Sequence, residues 1–267
     1  MKQQLIATIK TNLLFYRRNG VLIGVGLFLL FFYGLSMLPF VFFTSSTQRF
    51  EIVKRTFINL NDFIIVFTGL LGLLTLSYHR SNRCLKMIFT KPCLPETWLL
   101  GTFISAMVFS LILYGIIFLI AFLSFPLFGV SFTQGLLYLS FYHFLIGLNV
   151  YAILTFLTII MHPILAAIVA LLMNEGTFYG LLTLVMGGLK ASPDNRLLVF
   201  LKYIFYSIYF VVPQYSPFKA DLQEVYETFR VTSPDLTYLF YALIYTLIFS
   251  SFCFFLTTYV LKKKRLI

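Results

Sequence analysis

The residues able to do chemistry are few and scattered. His79, His143 and His162 fall in three different settings along the chain. No H-E-x-x-H pair, G-x-S-x-G nucleophile turn or G-x-x-x-x-G-K-[ST] phosphate loop occurs. The chain is therefore expected to hold neither ATP nor a catalytic set of its own. Cys84, Cys93 and Cys253 make no metal-ligand spacing, and no metal is expected. His143 sits inside an apolar run, where a histidine more often serves as a hydrogen-bonded packing residue than as a ligand. The polar pair Asn174-Glu175 also interrupts an apolar run, and Gly176 and Gly180 follow it. A carboxylate at that position costs about 2.5–3.5 kcal/mol on insertion scales, so it must face protein or water. The two glycines make a small-xxx-small face that lets another helix approach closely. Two readings stay open: a residue of a translocation path or dimer axis, or a neutral Glu bonded across a helix pair. Asn149 is a candidate partner for it.

These residues are carried by elements of one kind. The chain is 60% hydrophobic and only 11% charged, against about 25% charged in soluble domains. A spanning helix needs roughly 20 mostly apolar residues. Six runs qualify: 21–43, 61–78, 99–125, 135–160, 163–189 and 237–261. The expected fold class is an all-α integral membrane protein, one transmembrane domain over residues 1–267. The first run follows a basic segment and lacks a small-residue exit, so it is not expected to be a cleaved signal. The 33 Phe and 17 Tyr suit lipid contact and the interfacial belt. The longest polar gap, 190–236, is too short and too broken for an independent core.

Six crossings put both termini on one side. That side would hold twelve basic residues (Lys2, Lys10, Arg17, Arg18, Arg80, Arg83, Lys86, Lys91, Lys262, Lys263, Lys264, Arg265) against Glu96 alone. The other side mixes eight basic residues with seven acids. Lys and Arg near span ends set orientation, which makes the basic side cytoplasmic. The same distribution argues against nucleic-acid binding, because the charge is split among short stretches flanking the spans.

The gaps have structure of their own. In 2–18, Leu5, Ile9, Leu13 and Tyr16 share a helical face while Lys10 and Arg17 lie elsewhere, predicting an interfacial amphipathic helix. The gap 44–60 has mixed charges and reads as a solvated outer loop. In 79–98, Arg80, Arg83 and Lys86 recur every three residues, with Leu85, Ile88 and Phe89 as an apolar side. This predicts a short basic helix ending near Lys91, before Pro92 and Pro95. Met161-His162-Pro163 reads as a tight inner turn. Residues 197–212 are apolar but too short to cross, so they read as an interfacial or re-entrant outer helix. Asp221 and Glu224 resemble a capping box for a second short outer helix.

This order of parts resembles the type-2 permease family of ATP-binding-cassette transporters. The family has an inner connecting helix, six spans, a coupling helix between the second and third spans, and short outer helices between the fifth and sixth. Those parts would fall here on 2–18, 79–98 and 197–230. Thr90-Lys91-Pro92 followed by Trp98-Leu99-Leu100-Gly101 is similar to the family's turn into its third span. Residues 209–217 (YFVVPQYSP) are similar to the outer stretch of its copper- and gliding-type branches. Arg80 and Arg83 lack the glutamate that many members place beside them, and Thr102 follows Gly101 where many have Lys.

The resemblance implies a permease subunit of an exporter in a cell inner (plasma) membrane, with no ATPase activity and no cofactor of its own. Two such subunits would pair, as copies or homologues, and dock two separate cassette ATPase subunits that carry ATP and Mg. Arg80, Arg83, Lys86, Phe89, Lys91 and Glu96 would meet the ATPase. Asn149, Asn174, Glu175, Gly176 and Gly180 would line the path or the dimer interface. Membrane lipids would be further partners. Two other functions stay in view: a proton-coupled carrier using Glu175, and a non-transporting membrane scaffold or assembly factor.

Overall fold

The computed structural model describes residues 2–38, 46–81, 94–129, 134–172, 175–192, 195–211 and 236–263. These residues are almost entirely helical, with no strand among them. The helices are α1 (Lys2–Arg18), α2 (Val21–Met37), α3 (Ser46–Ser81), α4 (Pro95–Ser124), α5 (Gln134–Ile160), α6 (Pro163–Leu172), α7 (Glu175–Ala191), α8 (Arg196–Val211) and α9 (Leu236–Lys263). Four stretches are long and apolar enough to cross a bilayer: Gln48–Leu74, Pro95–Leu127, Gly135–Ile160 and Leu236–Lys263. The pair α1 and α2, bent by 55°, makes a fifth if read as one broken span. The chain is thus a membrane protein built from helices. The run 163–189 is divided between α6 and α7, with 173–174 outside the described residues.

Local chemistry sets the ends of these elements. Gly20 takes a left-handed φ of 66° between α1 and α2, a conformation glycine adopts without Cβ strain. Pro95 occupies the first turn of α4, where a missing N–H costs nothing. At its other end α4 tightens into a 3-10 turn, Phe125–Phe128, closed by Gly129 at φ 72°. Pro163 starts α6 directly after the Met161-His162 break.

The 44–60 gap departs from expectation. Residues 46–60 are not a loop but the first four turns of α3. Val53, Phe57 and Leu60 are buried, because they recur at helical spacing and continue into Ile64 and Leu71 of the span. Arg49, Glu51, Lys54 and Arg55 occupy the rest of the wheel, and Lys54 pairs with Glu51. Charge density hid an amphipathic stripe. The short outer helix expected over 221–230 lies outside the described residues.

Side-chain pairings give the helix directions. Asp62 meets His143 and Gly72 meets Tyr151, so α3 and α5 run parallel. Asn149 meets Ser250, and Ile159 clusters with Leu261, so α5 and α9 also run parallel. Phe57 packs on Phe125 and Thr68 bonds Ser110, so α4 runs opposite to α3. Phe28 on Phe67 and Phe32 on Phe63 turn α2 the same way as α4. The centre is α3, α4 and α5, where Ile64, Phe109, Leu113, Tyr142 and Tyr151 are fully enclosed. The glycines of α3 let α5 close in: a Cβ on Gly72 would lie 2.8 Å from the Tyr151 carbonyl oxygen.

Candidate functional site

Two places gather the residues of interest. The first is the end of the bundle marked by Trp98. There Trp98 and Leu99 of α4, Ile159 of α5 and Leu261 of α9 form one buried cluster. Glu96, in the first turn of α4, accepts a hydrogen bond from Lys262 of α9 at 2.8 Å. Both side chains are more than half exposed, so the pair pins the two helix ends more than it stabilises them. Helix α1 reaches this end as well. Thr8 sits against Gly101, where a Cβ would come within 2.7 Å of its methyl group. Ser105 Oγ lies 3.5 Å from the Ile9 carbonyl, and Tyr16 packs edge-on against Phe109 at 5.4 Å. Residues 8–16 therefore keep step with 101–109. Helix α1 runs parallel to α4 and turns its Thr8, Ile9, Asn12 and Tyr16 side toward it.

Of the expected ATPase contacts, only Glu96 can be placed with its partner. Arg80 lies in the last turn of α3, its side chain outside the described residues. Arg83, Lys86, Phe89 and Lys91 lie outside them altogether. In sequence, residues 82–93 separate the end of α3 from Leu94, which directly precedes α4 and its Glu96.

The second place is the bundle interior. Asn149 is fully buried and accepts a hydrogen bond from Ser250 Oγ at 3.1 Å. Its described partner is thus on α9. Asn174 lies outside the described residues, and so do the side-chain surroundings of Glu175 and Gly176 on α7. A Cβ at Gly180 would meet nothing within 4 Å, so among the described residues no other helix closes on that face.

A pairing that the sequence did not announce joins α3 to α5. The His143 ring is buried, its Nδ1 lies 2.8 Å from the Leu139 carbonyl, and its Nε2 lies 3.5 Å from Asp62 Oδ1. A carbonyl only accepts, so Nδ1 carries a hydrogen and Nε2 is left to face the carboxylate. Asp62 itself is 59% exposed, which gives a buried imidazole one route to the protein surface. Nearby in sequence, Asn61 Oδ1 and Ser140 Oγ are buried without a hydrogen-bond partner among the described residues. The available signal was weak: a histidine within one apolar run and an aspartate at the start of another. Only the parallel packing of α3 and α5 brings them together.

Among the described residues no three His, Cys, Asp or Glu side chains converge to hold a metal ion. Cys253 is a buried free thiol, and Cys84 and Cys93 lie outside the described residues. A groove of about 520 Å³ runs along α1, lined by Ile6, Ile9, Lys10, Leu13, Leu14 and Arg17. No family model, curated protein or solved structure matches the chain.

Proposed function

We propose that the chain is the membrane subunit of an ATP-driven exporter, working with separate ATPase subunits and a second permease copy or homologue. The observation that carries this reading is the convergence at the Trp98 end. Helix α1, the start of α4 and the end of α9 meet there, and the basic stretch 82–93 is strung between the two helices that bracket it, α3 and α4. A force applied to 82–93 would reach α4 within two residues. It would pass to α9 through Glu96–Lys262, to α1 through Gly101–Thr8 and to α3 through Thr68–Ser110. Such an end suits a docking surface for a motor, and the cations there suit a partner with acidic grooves.

Topology supports six crossings. Helices α5 and α9 lie side by side and point the same way, so residues 161–235 must carry the chain back across. The apolar α6 and α7 are the segment suited to that return, with Glu175 opening α7. The open face at Gly180 would then be available to the second subunit. The positive-inside pattern places the Trp98 end, and both termini, in the cytoplasm.

Affinity purification from native membranes tests the proposal. A cassette ATPase should be recovered, and Arg83→Glu with Lys86→Glu should release it. Recovery of no nucleotide hydrolase, or a complex indifferent to both reversals, would sink it. Transport that persists without ATP and follows a proton gradient would favour the carrier reading instead.

A further inference from the structure

We infer that the α1 groove is a binding site for an anionic phospholipid of the leaflet on the Trp98 side, with Lys10 and Arg17 as the headgroup ligands. The inference is independent of the transport reading.

Depth comes first. Tyr16 packs on Phe109, and Phe109 lies thirteen residues along α4 from Glu96, about 20 Å of helix rise. Arg17 therefore stands well inside the bundle from the level of the Glu96–Lys262 pair. A cation at depth in a bilayer is costly unless it meets an anion or draws water and headgroups toward it. Helical side chains lean toward the N-terminus, so Lys10 and Arg17 both reach back toward the Trp98 end. Seven residues separate them, which puts them on one face about 10 Å apart, within the combined reach of two long side chains around one phosphodiester.

Shape and charge narrow the occupant. The groove follows Ile6, Ile9, Leu13 and Leu14, an apolar stripe that suits glycerol and acyl chain, with the two cations on it. Ile6 and Leu14 are 54% and 42% exposed, so α4 does not cover this side. No acidic side chain among the described residues pairs with Lys10 or Arg17. Glu96, the acid at this end among the described residues, is already held by Lys262. A molecule that is apolar along its length and anionic at its head satisfies all these conditions, and the surrounding bilayer supplies it. Basic pockets beside spanning helices take anionic headgroups at about 1 kcal/mol per Lys or Arg.

The test uses the full chain purified in neutral detergent, with phosphatidylglycerol and phosphatidylcholine offered together and retained lipid counted by native mass spectrometry. Two cations predict a preference for the anionic lipid of roughly 30-fold. Lys10→Gln with Arg17→Gln should reduce it to within about threefold, and Lys54→Gln, at the other end of α3, should leave it intact. In the unmutated protein, phosphatidylglycerol should slow backbone hydrogen exchange in α1 and leave α8 unchanged, a readout that needs no variant to fold. Equal retention of the two lipids by the unmutated protein, or a preference that survives the double substitution, would overturn the inference. So would displacement by millimolar inorganic phosphate, which would mark a site for a free anion.

Discussion

Helices α5 and α9 have nearly the same mean hydropathy over their apolar stretches, 1.9 and 2.1. Yet 78% of one stretch is buried within the chain and only 22% of the other. Apolar content therefore does not say whether a helix faces protein or lipid, since lipid tails are as apolar as leucine. What differs is how each helix handles its polar and small groups. On α5 they reach across to other helices: His143 to Asp62, Asn149 to Ser250, and Gly147 to a close approach by Thr68. On α9, Thr246 and Thr257 donate to the carbonyls of Ala242 and Cys253 one turn back, as Thr155 and Thr158 do to Tyr151 and Leu154 on α5, and Ser250 reaches α5. The buried residues of α9 form a single seam, Ala242, Thr246, Ser250, Cys253, Thr257, Thr258 and Leu261. Phe240, Leu247, Phe252, Phe255 and Tyr259 look outward.

The contrast can be broken most severely where α3 meets α5. Gly72→Leu would drive a side chain into the Tyr151 backbone, and should cost about 3 kcal/mol in reversible unfolding from detergent, the upper part of the overpacking range. Gly115→Leu, where a Cβ meets nothing within 4 Å, should change it by less than about 0.5 kcal/mol. Equal effects at the two glycines would erase the distinction between enclosed and open helix faces. His143→Leu comes next, at about 1.5 kcal/mol, near the largest values measured for single hydrogen bonds between spanning helices. A cycle with Asp62→Asn should show that much of this loss is shared. If the two losses simply add, the imidazole and the carboxylate do not act on one another.

Ser250→Ala should cost about 0.6 kcal/mol, and less again once Asn149→Ala is present, because one bond is removed either way. At the small end, Phe255→Ala on the outer face of α9 should stay within about 0.5 kcal/mol in micelles. A drop of several kcal/mol there would mean that a second copy of the chain, not lipid, covers that face.

Much of the architecture was legible residue by residue. The apolar runs predicted helices, and among the described residues helices occupy them; Pro95 and the Met161-His162-Pro163 turn were read as boundaries, and α4 and α6 start at Pro95 and Pro163. The 44–60 gap was misread because six charged or amide residues outweighed a stripe of Phe50, Val53 and Phe57 that shows only at helical spacing. The helix over 2–18 was legible, but its partner was not. Gly101 drew notice for its neighbours in sequence, whereas its role here is to let Thr8 approach. Asn149 was a candidate partner for Glu175, whose side chain lies outside the described residues, and its bond with Ser250 was not foreseen. Contacts of that kind join residues about a hundred positions apart, and no local pattern encodes them.

By itself the sequence determined that this chain is a membrane protein built from helices, and that its basic residues gather in short stretches beside the apolar runs. Both follow from transfer free energies, which add along the chain without reference to neighbours. Which face of each helix turns inward was decided only by the tertiary structure. With no hydrophobic gradient between lipid and protein, the choice falls to close approach at small residues and to polar pairs such as Asp62–His143. Both exist only once two helices are laid in register.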